Sequence, residues 1–129
     1  MIVDTSAMVA ILYREAEAAD FTRLIHDADE CRMSVATHVE LTMVIESQLG
    51  PDGTLQAETF LRRAGIVLEP VTVEQGQLAS QAFRDFGKGR HPAGLNFGDC
   101  FAYALAKATG EPLLFKGKDF ALTDIAAAA

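Results

Sequence analysis

Short apolar runs, each followed by a longer stretch of helical periodicity, constrain this chain more than any other feature. Met1-Ile2-Val3, Met33-Ser34-Val35-Ala36, Ile66-Val67-Leu68 and Leu113-Leu114-Phe115 are too short for helices and read as buried strands, with Ala121 to Asp124 as a short fifth. Between them, Phe21, Leu24, Ile25 and Ala28 make one apolar stripe at i, i+3, i+4, i+7 on a helix from about Ala16 to Asp29. Leu41, Val44, Ile45 and Leu49 make another, capped by Thr37 and stopped at Gly50-Pro51. After a turn through Gly53, Ala57, Phe60, Leu61 and Ala64 lead to Gly65, and Val73 to Phe86 repeats the pattern. A further helix starts at Asn96 or Phe97 and stops at Gly110, and Thr5 to about Tyr13 forms the first. Brief strands alternating with amphipathic helices give a short-stranded, mostly parallel sheet covered on both faces, an α/β fold of three layers, α/β/α.

No linker or repeat divides the chain, so residues 1–129 are expected to form a single domain. The stretch from Gly87 to Gly98 is the one expected flexible loop. Asp4 interrupts the N-terminus before an apolar signal core forms, and no apolar run approaches the ~20 residues needed to span a bilayer. Cys31 and Cys100 lie in apolar surroundings without metal-ligand spacing, which reads as free buried thiols in a reducing, cytoplasmic setting. The net charge of −7 excludes binding of a nucleic-acid backbone by bulk charge alone.

In parallel α/β folds, ligands bind outside the carboxyl ends of the strands. Asp4 follows the first strand and Asp119 the fourth, while Glu40 and Asp99 fall in first turns of helices, so all four acids are expected at one edge. Each has an ordinary structural reading. Thr37-His38-Val39-Glu40 fits a capping box, Asn96-Phe97-Gly98-Asp99 resembles one, Asp4 can cap the first helix and Asp119 can sit in a turn. Taken singly, Glu40 and Asp99 read as caps before they read as a site.

Direction argues against caps alone. Asp99 heads a row with Ala102, Tyr103 and Ala106, and a carboxylate aimed along small and apolar neighbours is costly unless paired or metal-bound. Carboxylates without Cys or His companions suit a hard cation, Mg²⁺ or Mn²⁺. His26, His38 and His91 read as surface or capping residues. Such a cation would let an acidic site hold a polyanion and would serve phosphodiester chemistry. Arg84, Lys88, Arg90, Lys116 and Lys118 lie on either side of the acids in sequence and are candidate phosphate contacts.

With Met1-Ile2-Val3-Asp4-Thr5-Ser6-Ala7 at the start, Glu40 in the third helix, Asn96-Phe97-Gly98-Asp99 opening a later helix and Gly117-Lys118-Asp119-Phe120 after the last core strand, the chain resembles a PIN-domain ribonuclease. More narrowly it resembles the VapC-type toxin of a bacterial type II toxin–antitoxin pair, over nearly its whole length. The resemblance implies an Mg²⁺- or Mn²⁺-dependent endoribonuclease with Asp4, Glu40, Asp99 and Asp119 as the acidic quartet. It implies Ser6, with Thr5 beside it, as supporting hydroxyls at the metal. It also implies a homodimer, a cognate antitoxin covering the active groove, and structured or translation-related RNA such as tRNA as substrate. Asp124 is a rival to Asp119 for the fourth position. Three other readings stay open: a receiver-type phosphorylatable signalling domain, a catalytically idle binding module, and a PIN nuclease of RNA processing that has no antitoxin.

Overall fold

The computed structural model describes residues 1–129. Strands β1 (Ile2–Val3), β2 (Arg32–Ser34), β3 (Val67–Glu69) and β4 (Leu113–Leu114) form one parallel sheet in the order β3-β2-β1-β4. Five helices connect and cover it: α1 (Thr5–Leu12), α2 (Ala18–Asp27), α3 (Val35–Arg63), α4 (Val73–Phe86) and α5 (Phe97–Thr109).

Two-residue strands persist because the pleat sends neighbouring side chains to opposite faces, each of which is fully covered. Ile2 and Leu113 pack with Ala79, Ala82, Leu95 and the inner face of α5, whereas Val3 and Leu114 pack with α1, Phe21, Ile25, Met33, Leu41 and Ile45. All four strand residues are completely buried. The result is the three-layer α/β/α fold that the periodicity implies.

The elements depart from the sequence reading in five places. The third helix is capped by Ser34, which accepts from Ala36 N–H, not by Thr37. The pairing of β2 with β3 ends at Ser34 opposite Glu69, and the helix begins at the next residue. The turn expected through Gly50-Pro51-Asp52-Gly53 narrows to a break at Gly50 (φ 69°, ψ −167°) within α3. Pro51 follows as the first residue of a new helical segment, where its missing N–H needs no partner. β3 is shifted one residue, to Val67–Glu69.

Ala121 to Asp124 forms no fifth strand. Phe120–Leu122 is a 3₁₀ turn, and the edge of β4 is met instead by the tail, where Leu113 N–H donates to the Ala126 carbonyl and Ala128 N–H to the Leu113 carbonyl. The Gly87–Gly98 segment is pinned where a flexible loop was expected. Lys88 N–H donates to Leu95 O, Leu95 N–H donates to Phe86 O, and Ala93 and Leu95 are buried in the core.

This framework positions the functional edge. Asp4 and Ser34 end adjacent parallel strands and cap the helices that follow, so the N-termini of α1 and α3 open side by side at the carboxyl edge of the sheet.

Candidate metal centre

Asp4 terminates β1, is 3% exposed, and caps α1. Its Oδ2 accepts from Ser6 N–H (3.0 Å) and from the Ser6 hydroxyl (2.6 Å). Ser6 Oγ in turn accepts from Lys116 N–H (3.0 Å), which ties the residues after β4 to the start of α1. Asp4 Oδ1 is buried without any hydrogen-bond partner. A carboxylate oxygen left in that condition is among the most costly groups a fold can carry.

Glu40 lies in the second turn of α3, so the capping-box reading of Thr37-His38-Val39-Glu40 fails. Its Oε1 accepts from the Thr5 hydroxyl (2.6 Å), joining α3 to α1. Its carboxylate occupies the space beside Gly98, where any Cβ would overlap it. Gly98 thus seats the Glu40 carboxylate, a contact that the sequence reading passed over. A signal existed: glycine in the first turn of a helix costs about 1 kcal/mol relative to alanine, and no positive φ requires it here.

Asp99 does cap. Asn96 Oδ1 accepts from Asp99 N–H (2.9 Å) while Asp99 Oδ2 accepts from Asn96 N–H (3.0 Å), a reciprocal box. One carboxylate oxygen is thereby fixed, and Asp99 faces a cleft that it shares with Asp4 and Glu40. The cleft is open, about 480 Å³, and Thr5, Ser6 and Lys116 also line it.

Asp119 is exposed, opens the 3₁₀ turn and makes no capping hydrogen bond. It stands outside the lining of the cleft, yet its charge reaches Asp99. Of the four acids expected in the pocket, Asp4, Glu40 and Asp99 line the cleft and Asp119 does not, while Glu15, which the sequence reading did not single out, joins the lining as a fourth carboxylate. Asp124, the rival, is engaged elsewhere by the Tyr103 hydroxyl (2.6 Å) and Lys107 Nζ (2.7 Å).

The electrostatics are those of a site short of positive charge. The pKa of Asp4 is pushed from an ordinary 3.8 to about 6, mainly by burial, with the Glu40 charge adding and the Ser6 hydrogen bonds opposing. Asp99 is likewise pushed up to about 6, first by burial and then by Asp4, Glu40 and Asp119. Desolvation outweighs the repulsion between neighbouring acids in both. The nearest lysine, Lys116, is held away from the acids by Glu17 (3.1 Å) and Glu15 (3.4 Å).

None of the three histidines joins this group. His38 pairs with Glu58 (2.6 Å), His91 Nδ1 accepts from Ala93 N–H, and His26 lies beside Asp27 on the surface. The donors offered are all oxygens, which suits a hard cation. No three of the chain's acidic, His or Cys side chains are spaced as a ready-made cage. Mg²⁺ does not need one, since it keeps several waters and is held through one or two carboxylates. The orphaned Asp4 oxygen, beside Asp99, fits that requirement.

The other basic candidates lie apart. Arg84 and Arg90 line a separate cavity between α4 and α5, while Lys88 and Lys118 are exposed and form no ion pair.

A parallel α/β sheet with acids gathered at its carboxyl edge defines a class, and comparison with known proteins identifies it: residues 1–126 match the PIN domain, and the chain belongs to that family. Within it, the chain is 49% identical over 127 residues to a ribonuclease VapC of Mycolicibacterium smegmatis, covering 98% of both chains, and belongs among the VapC ribonucleases. The fold is similar to that of Mycobacterium tuberculosis VapC20, a sarcin–ricin-loop-cleaving toxin, at a TM-score of 0.78, 16% identity and coverage of 96% of this chain and 95% of that one. It is similar also to a chain of a toxin–antitoxin complex from Klebsiella pneumoniae, at a TM-score of 0.69, 14% identity and coverage of 95% and 92%. The receiver-type reading and that of a PIN nuclease without an antitoxin find no support among these relatives.

Because the folded protein binds a proton at Asp4 that the unfolded chain has already released, metal-free stability falls as pH rises from about 4 to about 6. Asp4→Asn removes that cost. In chelator, its stability relative to the parent is expected to improve across this window, by about 3 kcal/mol at neutral pH, as read by urea unfolding. Gly98→Ala tests the seat of Glu40. It is expected to destabilise the parent despite alanine's better helix propensity, and to stabilise the Glu40→Ala background, where the overlap is gone.

Proposed function

We propose that this VapC-type ribonuclease hydrolyses RNA phosphodiester bonds with Mg²⁺ or Mn²⁺ held by Asp4 and Asp99, Glu40 and Asp119 completing the site directly or through water. The observation that carries this reading is the buried, unpartnered oxygen of Asp4, a residue that lines the cleft with Asp99 and Glu40. A cation bound there supplies an activated water and neutralises charge developing on the phosphodiester.

The chain's own residues do the positioning. Ser6 holds Asp4 Oδ2 and Asn96 N–H holds Asp99 Oδ2, so the second oxygen of each aspartate is free of the protein's own donors. Thr5 fixes one oxygen of Glu40, leaving the other to orient an attacking water and accept its proton. Lys116, already in the lining, is the first candidate to meet a substrate phosphate, and Lys118, Lys88, Arg84 and Arg90 extend that role. None of these contacts requires a basic surface overall, which the net charge of −7 does not provide.

The partners follow the same reading: RNA as substrate, tRNA being one candidate, a cognate antitoxin that covers the cleft, and a second copy of the chain in a homodimer. No helix is long and apolar enough to cross a membrane, and the proposed setting is the cytoplasm.

Sequencing of RNA 5′ ends after induced expression tests the reading. New ends at discrete positions are expected with the parent and not with Asp99→Asn. The same ends from an Asp99→Asn protein would overturn it.

A further inference from the structure

A second cavity, also about 480 Å³, lies between α4 and α5 and plays no part in the metal site. Gly76, Ala79 and Ser80 form its α4 side, where small side chains leave room, and a Cβ built on Gly76 would meet nothing within 4 Å. Opposite stands Phe97, the first residue of α5, 80% exposed and set edge-on to Phe101 with ring centroids 4.9 Å apart. A phenylalanine so exposed gains almost nothing from folding, and burying it in a complex would be worth far more.

The charge of this cavity is opposite to that of the cleft. Its only charged lining residues are Arg84 and Arg90, and no carboxylate is among them. The Arg90 guanidinium already covers the ring of Phe83, 5.3 Å from its centroid, so Phe97 is the ring left open. In a chain of net charge −7, an aromatic face flanked by two arginines is a local reversal of sign. It suits a ligand that is flat, apolar on its faces and attached to negative charge.

Position selects among such ligands. Phe97 precedes Asp99 by two residues at the same end of α5, about 3 Å nearer the helix N-terminus and about 200° around its axis. A phosphodiester seated against Asp99 would carry its neighbouring nucleotides around that helix end. We propose that Phe97 is a stacking platform for an unpaired base flanking the scissile phosphate, with Arg84 and Arg90 meeting the backbone beyond it. This rests on the ribonuclease reading of the cleft and adds to it a requirement for single-stranded character beside the cut. Stacking on an aromatic side chain tolerates any base, so the platform fixes the register of the strand without dictating its sequence.

The chain contains no tryptophan, so Phe97→Trp introduces a lone fluorophore at the platform. In an Asp99→Asn background, an unstructured oligoribonucleotide of about twelve residues is expected to quench the indole, and the same oligomer bearing abasic riboses to quench it several-fold less. In the cleaving protein, Phe97→Ala is expected to raise KM about tenfold with little change in kcat, and Phe97→Tyr to restore the parental KM. The ring is exposed, so none of these changes should perturb folding.

Equal quenching by both oligomers, or a parental KM for Phe97→Ala in an enzyme that still needs Asp99, would overturn the platform and leave the nuclease reading intact. Loss of the homodimer in Phe97→Ala, read by sedimentation, would reassign the patch to protein contact and overturn it equally. Failure of the parent to cleave RNA with any divalent cation would overturn both.

Discussion

An aspartate buried at the end of the central strand, with one oxygen satisfied and the other not, is the constraint around which the structure is arranged. Asp4 cannot move outward, because it caps α1 and its strand is covered on both faces. Ser6 and the Lys116 backbone fix its direction. The desolvation cost is built in, and a parallel sheet is what places it there: adjacent strands end together, and helices start where they end.

The surrounding choices make sense as accommodation of that cost. Gly98 surrenders helix propensity so that the Glu40 carboxylate can approach α5, and the positive end of that helix dipole favours an anion there. Thr5 spends its hydroxyl on Glu40. Glu15 and Glu17 hold the one nearby lysine back, when a direct ion pair with Asp4 or Asp99 would have stabilised the metal-free protein at the expense of the site. Stability is given up locally, a cost that the proposed cation would offset.

Much of this was legible in the sequence, for reasons that can be named. Strands such as Leu113-Leu114 and the stripes on α2 and α5 are recorded by local periodicity, which survives without knowledge of tertiary contacts. Asp99 was readable because its cap and its row of small neighbours are both local. Thr37 was misread as a cap because the Ser34 alternative is decided by the pairing of β2 with its neighbours, a non-local fact. The supposed fifth strand failed similarly, since the tail holds the edge of β4. The contact between Gly98 and Glu40 joins distant segments and leaves no trace beyond an unexplained glycine. Burial as the main cause of the raised aspartate pKa values likewise required the fold.

The most direct measurement of the central claim is the thermal unfolding of the parent and of Asp99→Asn with and without millimolar Mg²⁺ or Mn²⁺ near neutral pH. The account predicts that the cation raises the midpoint of the parent by several degrees and leaves that of Asp99→Asn nearly unchanged, because binding to the folded state alone is read as added stability. An equal rise in both proteins, or none in the parent, would contradict it.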